Sequence, residues 1–265
     1  MNTWHALYAP LDDAAPVVTA LQTALNARGY APYDPFPGGS GTPPHLRQTV
    51  RLFIALARDG WVRVLGVPDE DALPDVQQRL GVPLLYAWLS SEGGGWALFA
   101  DGSRQETPDA FSPYLAEGRT RDELRTAFAH TTADTTQSTD ALPPELQALA
   151  RAQGVDARQT EKLMGRLGRK LLGRFQDADE AQAQALLGGA PDLWQSAAGQ
   201  RVQAIAALLR LPKNWRSPDW QQVRDAYHVH RMQSRHPHMA ALPGDDEALA
   251  AVPDVAAYTP LYLGR

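Results

Sequence analysis

The sequence contains no cysteine among its 265 residues. This absence excludes disulfide bonds, cysteine nucleophiles, thiolate-bound iron–sulfur clusters and zinc sites with cysteine ligands. Long apolar runs are missing as well, because charged residues such as Arg51, Arg58 and Asp59 interrupt the most hydrophobic segments. A membrane-spanning helix needs about 20 predominantly apolar residues. We therefore expect a protein that does not cross a membrane.

Signals for secretion and for common catalytic chemistry are also missing. Residues 1–13 lack a basic cluster followed by an apolar run, and they include Asp12 and Asp13, so we expect a cytoplasmic protein without a signal peptide. The sequence has no G-x-S-x-G elbow, no H-E-x-x-H zinc motif, no Walker sequence and no kinase signature. We predict no cofactor.

The amino acids that are present are those of an ordinary globular protein, with 44% hydrophobic and 21% charged residues. A chain of this length often divides into two domains. The composition changes at residues 130–144, HTTADTTQSTDALPP, where apolar periodicity disappears. We interpret this segment as a linker between an N-terminal module, 1–129, and a second module, 145–241, which is followed by a tail rich in proline and aspartate, 242–265.

The N-terminal module is predicted to be α+β or α/β with a small mixed sheet. Trp4–Ala9 is predicted to be a strand and Ala14–Arg28 an amphipathic helix. The spacing of Val50 and Ile54 predicts a second helix. Three further strands are expected at Trp61–Leu65, Leu84–Leu89 and Trp96–Ala100, the last two as a hairpin with Ser90 to Gly95 as its turn. Thr120 and Glu123 have the spacing of a capping box, which predicts a final helix that ends near Ala129.

The second module is predicted to be an all-α helical bundle, because every periodic segment after the linker has helical spacing. Short turns with glycine or proline separate these segments, as expected for a bundle. The predicted helices are Pro144–Gln153, Asp156–Phe175, Asp179–Leu187, Pro191–Leu211 and Pro218–Arg235.

The helix predicted at 156–175 carries basic residues at every fourth position. Residues 142–242 have 14 lysines and arginines against 9 acidic residues, whereas residues 1–130 have 10 basic and 15 acidic residues. A basic helix face suits an anionic partner such as nucleic acid, and it also suits a face that is simply solvated. The residues of this stripe are Arg158, Lys162, Arg166, Lys170 and Arg174.

Residues 149–163, LARAQGVDARQTEKL, resemble a DNA-binding helix-turn-helix. Ala150, Gly154 and Val155 match its small residue, its turn glycine and the apolar residue that follows, whereas Gln153 and Thr160 stand where the motif has apolar side chains. The resemblance implies that base edges would be contacted from the start of the second helix and phosphates from Arg166 onward. The implied base-reading residues are Arg158, Gln159 and Lys162.

Two other segments have compositions that can carry chemistry. The loop 34–44 contains the glycines of Gly38–Gly41 and precedes a predicted helix. Such a loop would suit a phosphate or an enzyme site. It departs from the phosphate-binding P-loop motif, because Thr-Pro-Pro follows the last glycine in place of Lys-Ser. The other segment is a cluster of four histidines. Two of them, His228 and His230, lie on the predicted helix about 200° apart and so cannot both face one ion. We therefore predict no metal site at His228, His230, His236 and His238.

Three functional classes follow from these patterns. We favour a non-catalytic interaction or regulatory protein whose partner is another protein, because the module charges are mixed and catalytic motifs are missing. The first alternative is a nucleic-acid-binding protein that uses the basic helix 156–175. The second alternative is an enzyme with a site at the loop 34–44. The patterns do not indicate an oligomeric state.

Overall fold

The structure, a computed structural model, describes residues 3–35, 46–133, 193–238 and 241–265. Eight strands form one sheet in the order β2-β8-β3-β4-β1-β5-β6-β7, and all neighbouring strands are antiparallel. The strands are β1 Trp4–Ala9, β2 Ala31–Pro32, β3 Thr49–Ile54, β4 Val62–Leu65, β5 Leu84–Ser90, β6 Gly93–Ala100, β7 Ser103–Gln105 and β8 Thr259–Gly264.

Six α-helices of the described residues cover the two faces of this sheet. No helix in these ranges is long and apolar enough to span a bilayer. The helices are α1 Ala15–Ala27, α2 Leu73–Leu80, α3 Arg121–Ala133, α4 Ala197–Ala206, α5 Trp220–Arg235 and α6 Asp245–Ala251.

The predicted fold class, a mixed sheet followed by an all-helical bundle, is wrong. The sheet is antiparallel throughout, and it takes its strands from both ends of the chain. β8 lies between β2 and β3, where Leu263 pairs with Val50. The physical reason lies in the alternation of the segment TPLYLG, which turns Leu261 and Leu263 to one buried face. The predicted tail is therefore part of the central sheet.

The sheet is buried on both faces, which gives the molecule three layers. On the first face, α1 and α2 pack over side chains such as Leu7 and Val64. On the second face, α4 packs over β5 and β6, α5 packs over β3, and side chains such as Tyr8 and Trp96 lie between them. Because both faces are covered, the central strands are apolar at consecutive positions.

Several local predictions are confirmed and one is wrong. The strand at Trp4–Ala9, the helix after it and the hairpin of β5 and β6 are present. The segment around Val50 and Ile54 is strand β3, not a helix. The helix predicted at 218–235 is present as α5, which begins at Trp220 and ends at Arg235. Its N-cap is Asp219, which forms a reciprocal capping box with Gln222.

The predicted domain limits stay a prediction. Most of the proposed linker, 130–144, lies outside the described residues, although α3 continues through Ala133 and includes its first residues. The helices predicted at 144–153, 156–175 and 179–187 lie outside the described residues as well.

Candidate interaction groove

A groove of about 390 Å³ lies on the second face of the sheet, between α3 and α4 and over the first half of β6. It is open to solvent along one side, and its lining is mainly apolar. Charged side chains stand at its rim. Its lining includes Gly94, Trp96, Glu106, Arg125, Phe128 and Arg201.

The floor of the groove is bare backbone because β6 begins with three glycines. Gly94 pairs with Leu89, whose side chain lies in the second-face core, so Gly94 belongs to the same face. A Cβ atom on Gly94 would lie 2.7 Å from Leu89 Cδ1 and 2.8 Å from the carbonyl oxygen of Trp88. No other residue fits there without movement of the neighbouring strand, because Leu89 and the Trp88 carbonyl already occupy the place of a Cβ atom.

One wall is fixed by Trp96, which faces the same side of the sheet two residues later. Its indole Nε1 donates a hydrogen bond to the carbonyl oxygen of Val202 at 3.1 Å, and the ring is buried. This bond ties α4 to β6. Ser196 caps the start of α4 by accepting a hydrogen bond from Gly199 N at 3.0 Å. The helix therefore presents Arg201 and Ile205, four residues apart, along one side.

The opposite wall is α3, whose start is the predicted capping box of Thr120 and Glu123. The Glu123 carboxylate accepts a hydrogen bond from Thr120 N. This bond is the largest of the effects that hold the pKa of Glu123 below its ordinary value. Further along the helix, Phe128 packs against Phe111 with ring centroids 5.3 Å apart. This contact holds the apolar wall of the groove in place.

The charges at the rim are paired, with one exception. Arg125 lies 2.9 Å from Asp109 and 3.4 Å from Asp122. Glu106 accepts a hydrogen bond from Arg104 at 2.7 Å. Arg201 is partly buried and, within the described part of the chain, forms neither an ion pair nor a side-chain hydrogen bond. The groove therefore combines an apolar lining with one uncompensated cation.

The residues predicted for nucleic-acid binding cannot be placed in this architecture. Arg158, Gln159, Lys162, Arg166, Lys170 and Arg174 all lie outside the described residues. The interpretation of 156–175 as a nucleic-acid-binding helix stays a prediction.

The loop 34–44 enters the described structure at its first two residues. The Asp34 carboxylate lies 2.5 Å from an Arg231 nitrogen and 3.4 Å from an Arg235 nitrogen, both on α5. The start of the loop is thus attached to the C-terminal part of α5. The remainder, including Gly38–Gly41, lies outside the described residues, and the enzyme alternative stays a prediction.

The four clustered histidines are not gathered around one point. His228 is exposed on α5, His230 is partly buried, and His236 and His238 follow the end of the helix. The described residues contain no group of three or more histidine, aspartate or glutamate side chains placed to hold a metal ion. The expectation that these histidines bind no metal stays a prediction.

The groove residues were missed by the sequence analysis. The signal that could have indicated them is the run Gly93–Gly95, which belongs to β6 and not to the predicted turn between β5 and β6. Comparisons with protein-family models, with characterised proteins and with solved structures find no match to this chain.

Proposed function

We propose that this protein is a non-catalytic interaction protein that binds an acidic, apolar segment of another protein in the groove between α3 and α4. The observation that carries this proposal is the position of Arg201, a partly buried cation without a counter-ion beside an apolar surface. Burial of apolar side chains supplies affinity, and a carboxylate on Arg201 forms a charge-assisted hydrogen bond. One site thus selects both properties of the segment.

The openness of the groove favours a protein segment over a small molecule. Sites for small ligands usually bury 70–90% or more of the ligand surface, whereas this groove is open on one side. A segment that continues into a larger partner needs such an opening. The described lining residues also include no histidine, serine or lysine, and their one carboxylate, Glu106, is paired with Arg104. These side chains suit binding better than catalysis.

The proposal is tested by selection from a phage-displayed library of random dodecapeptides, followed by fluorescence polarisation with the selected peptides. We expect the selected sequences to combine apolar residues with aspartate or glutamate. Arg201→Glu should weaken their binding about tenfold or more, because it removes a charge-assisted hydrogen bond and adds repulsion. Ala129→Trp, which adds a large side chain on the α3 wall, should weaken binding too.

The matched control is Arg121→Glu, which makes the same change of charge at an exposed position on α3 outside the groove. This variant should bind the peptides with unchanged affinity. The proposal is wrong if no peptides are selected, or if both groove variants bind as well as the original protein. Direct binding of decanoate at millimolar concentration, without selection of any peptide, would instead indicate a site for small apolar acids.

We further propose the cytoplasm as the place of this interaction, on the sequence grounds given above. In the described part of the chain, no helix is long and apolar enough to cross a membrane.

A further inference from the structure

Arg63 is a buried cation at the centre of the sheet. It lies on β4 and is 6% exposed, and its side chain lies on the second face of the sheet. Its Nη1 donates hydrogen bonds to the carbonyl oxygens of Asn214 at 2.8 Å, Trp215 at 3.0 Å and Ser217 at 3.1 Å. Its Nη2 lies 3.5 Å from the hydroxyl of Tyr258. All of these partners are uncharged.

A buried arginine normally has a carboxylate partner, because the protein interior solvates an isolated charge poorly. Within the described residues, Arg63 has no carboxylate oxygen within 4 Å. Tyr8 donates its hydroxyl proton to the carbonyl oxygen of Trp215 at 2.5 Å. Burial raises the pKa of Tyr8 more strongly than Arg63 lowers it, so Tyr8 remains a neutral phenol. The charge of Arg63 is thus balanced only by dipoles of these residues.

A small cavity lies against this arginine. Its volume is about 20 Å³, which is enough for one particle of the size of a water molecule. Two further charged residues line it, Arg58 and Asp254, and they form an exposed ion pair with each other. Their charges cancel, so the lining has a net charge of one positive unit, located on Arg63.

Three other lining residues have groups that suit an anion. The indoles of Trp61 and Trp215 and the amide of Asn214 all carry N–H groups, and the edges of aromatic rings are electropositive. We propose that the cavity holds one small monovalent anion of the size of chloride, which neutralises Arg63. A water molecule would fill the same volume but would leave the charge uncompensated.

The anion would act on the attachment of residues 214–217 to the sheet. Their carbonyl groups are the acceptors for Arg63, and Trp215 also accepts from Tyr8. An anion that stabilises the guanidinium in its buried position therefore stabilises this attachment. Because the folded state binds the anion and the unfolded chain lacks the cavity, stability rises with anion concentration.

The test is thermal unfolding of the full chain at constant ionic strength, with sodium gluconate replaced stepwise by sodium chloride or sodium bromide. Gluconate is too large for the cavity. We expect about a hundredfold increase in chloride or bromide concentration to raise Tm by about 3 °C or more. Arg63→Met should abolish the halide effect. Arg79→Met, which removes an exposed arginine of α2 outside the cavity, should retain it.

A second measurement does not depend on the folding of the Arg63 variant. Crystals of the unaltered protein grown in bromide should show one anomalous peak in contact with the Arg63 guanidinium. Equal stability in halide and gluconate, or the absence of bromide at this position, would overturn the proposal. A halide effect that survives Arg63→Met in a folded protein would overturn it too.

Discussion

The hydroxyl of Tyr86 donates a hydrogen bond to Glu70 Oε1 at 3.0 Å and also lies 2.7 Å from Nδ1 of His5. A phenol has a single proton to donate. Since Tyr86 gives this proton to Glu70, the bond to His5 requires His5 Nδ1 to be the donor. Neutral His5 therefore carries its proton on Nδ1 and its lone pair on Nε2.

Burial lowers the pKa of His5 below its ordinary value of 6.5, against the opposing effect of Glu70. The unfolded chain consequently binds a proton on His5 more readily than the folded protein does. The stabilising effect is present above the ordinary pKa and is lost as the pH falls through the lowered one. We expect a proton NMR titration of His5 to have its midpoint below 6.5, with the free energy of unfolding decreasing from pH 8 to pH 5.

The control for this pH dependence is a second histidine. His5→Asn should reduce the loss of stability on acidification, whereas His236→Asn, at an exposed position after α5, should leave it unchanged. A midpoint for His5 at or above 6.5 would contradict the prediction.

Leu263 tests the position of β8 within the sheet. Its side chain is fully buried, and the residue pairs with Val50 on one side and Pro32 on the other. Leu263→Ala should reduce the free energy of unfolding by about 2–5 kcal/mol, as large-to-small changes in a core do. Thr259→Ala, at an exposed position of the same strand, should change it by less than about 0.5 kcal/mol. Urea denaturation measures both, and a loss below about 1 kcal/mol for Leu263→Ala would mean that β8 is not part of the stable sheet.

The third strand shows why the fold class could not be predicted from periodicity. Val50, Phe53 and Ile54 have the spacing of one helix face, yet they belong to a strand. Leu52 and Phe53 are adjacent and both fully buried, because they point to opposite covered faces. In such a strand the alternation of apolar and polar residues disappears, and a short apolar run does not distinguish strand from helix.

The groove illustrates a different limit. Its local parts follow from the sequence, since the capping box of Thr120 and the hairpin of β5 and β6 were predicted and are present. Its assembly does not, because Gly94, Phe128 and Arg201 come from elements that are distant in the chain. The bond from Trp96 to Val202 and the ring contact between Phe128 and Phe111 help to bring these elements together. Neither long-range contact has a local sequence signal.

Gly66 provides the last prediction, because a side chain there would collide with two elements at once. Its φ is +112°, and a Cβ atom would meet the carbonyl oxygen of Arg51 and lie 2.9 Å from Trp220 Cδ1. Neither neighbour is free to move, since Trp220 Nε1 donates to that same carbonyl at 3.0 Å and so joins α5 to β3. Gly66→Ala should therefore lower the free energy of unfolding by about 3 kcal/mol or more, from backbone strain plus overpacking.

Gly81→Ala is the matched control, because Gly81 also has a positive φ of +66° but nothing within 4 Å of its Cβ position. This substitution should lower the free energy of unfolding by about 1 kcal/mol. Urea denaturation of the two variants separates these effects, and equal losses would show that backbone conformation alone, without the contact to Trp220, determines the requirement for glycine at position 66.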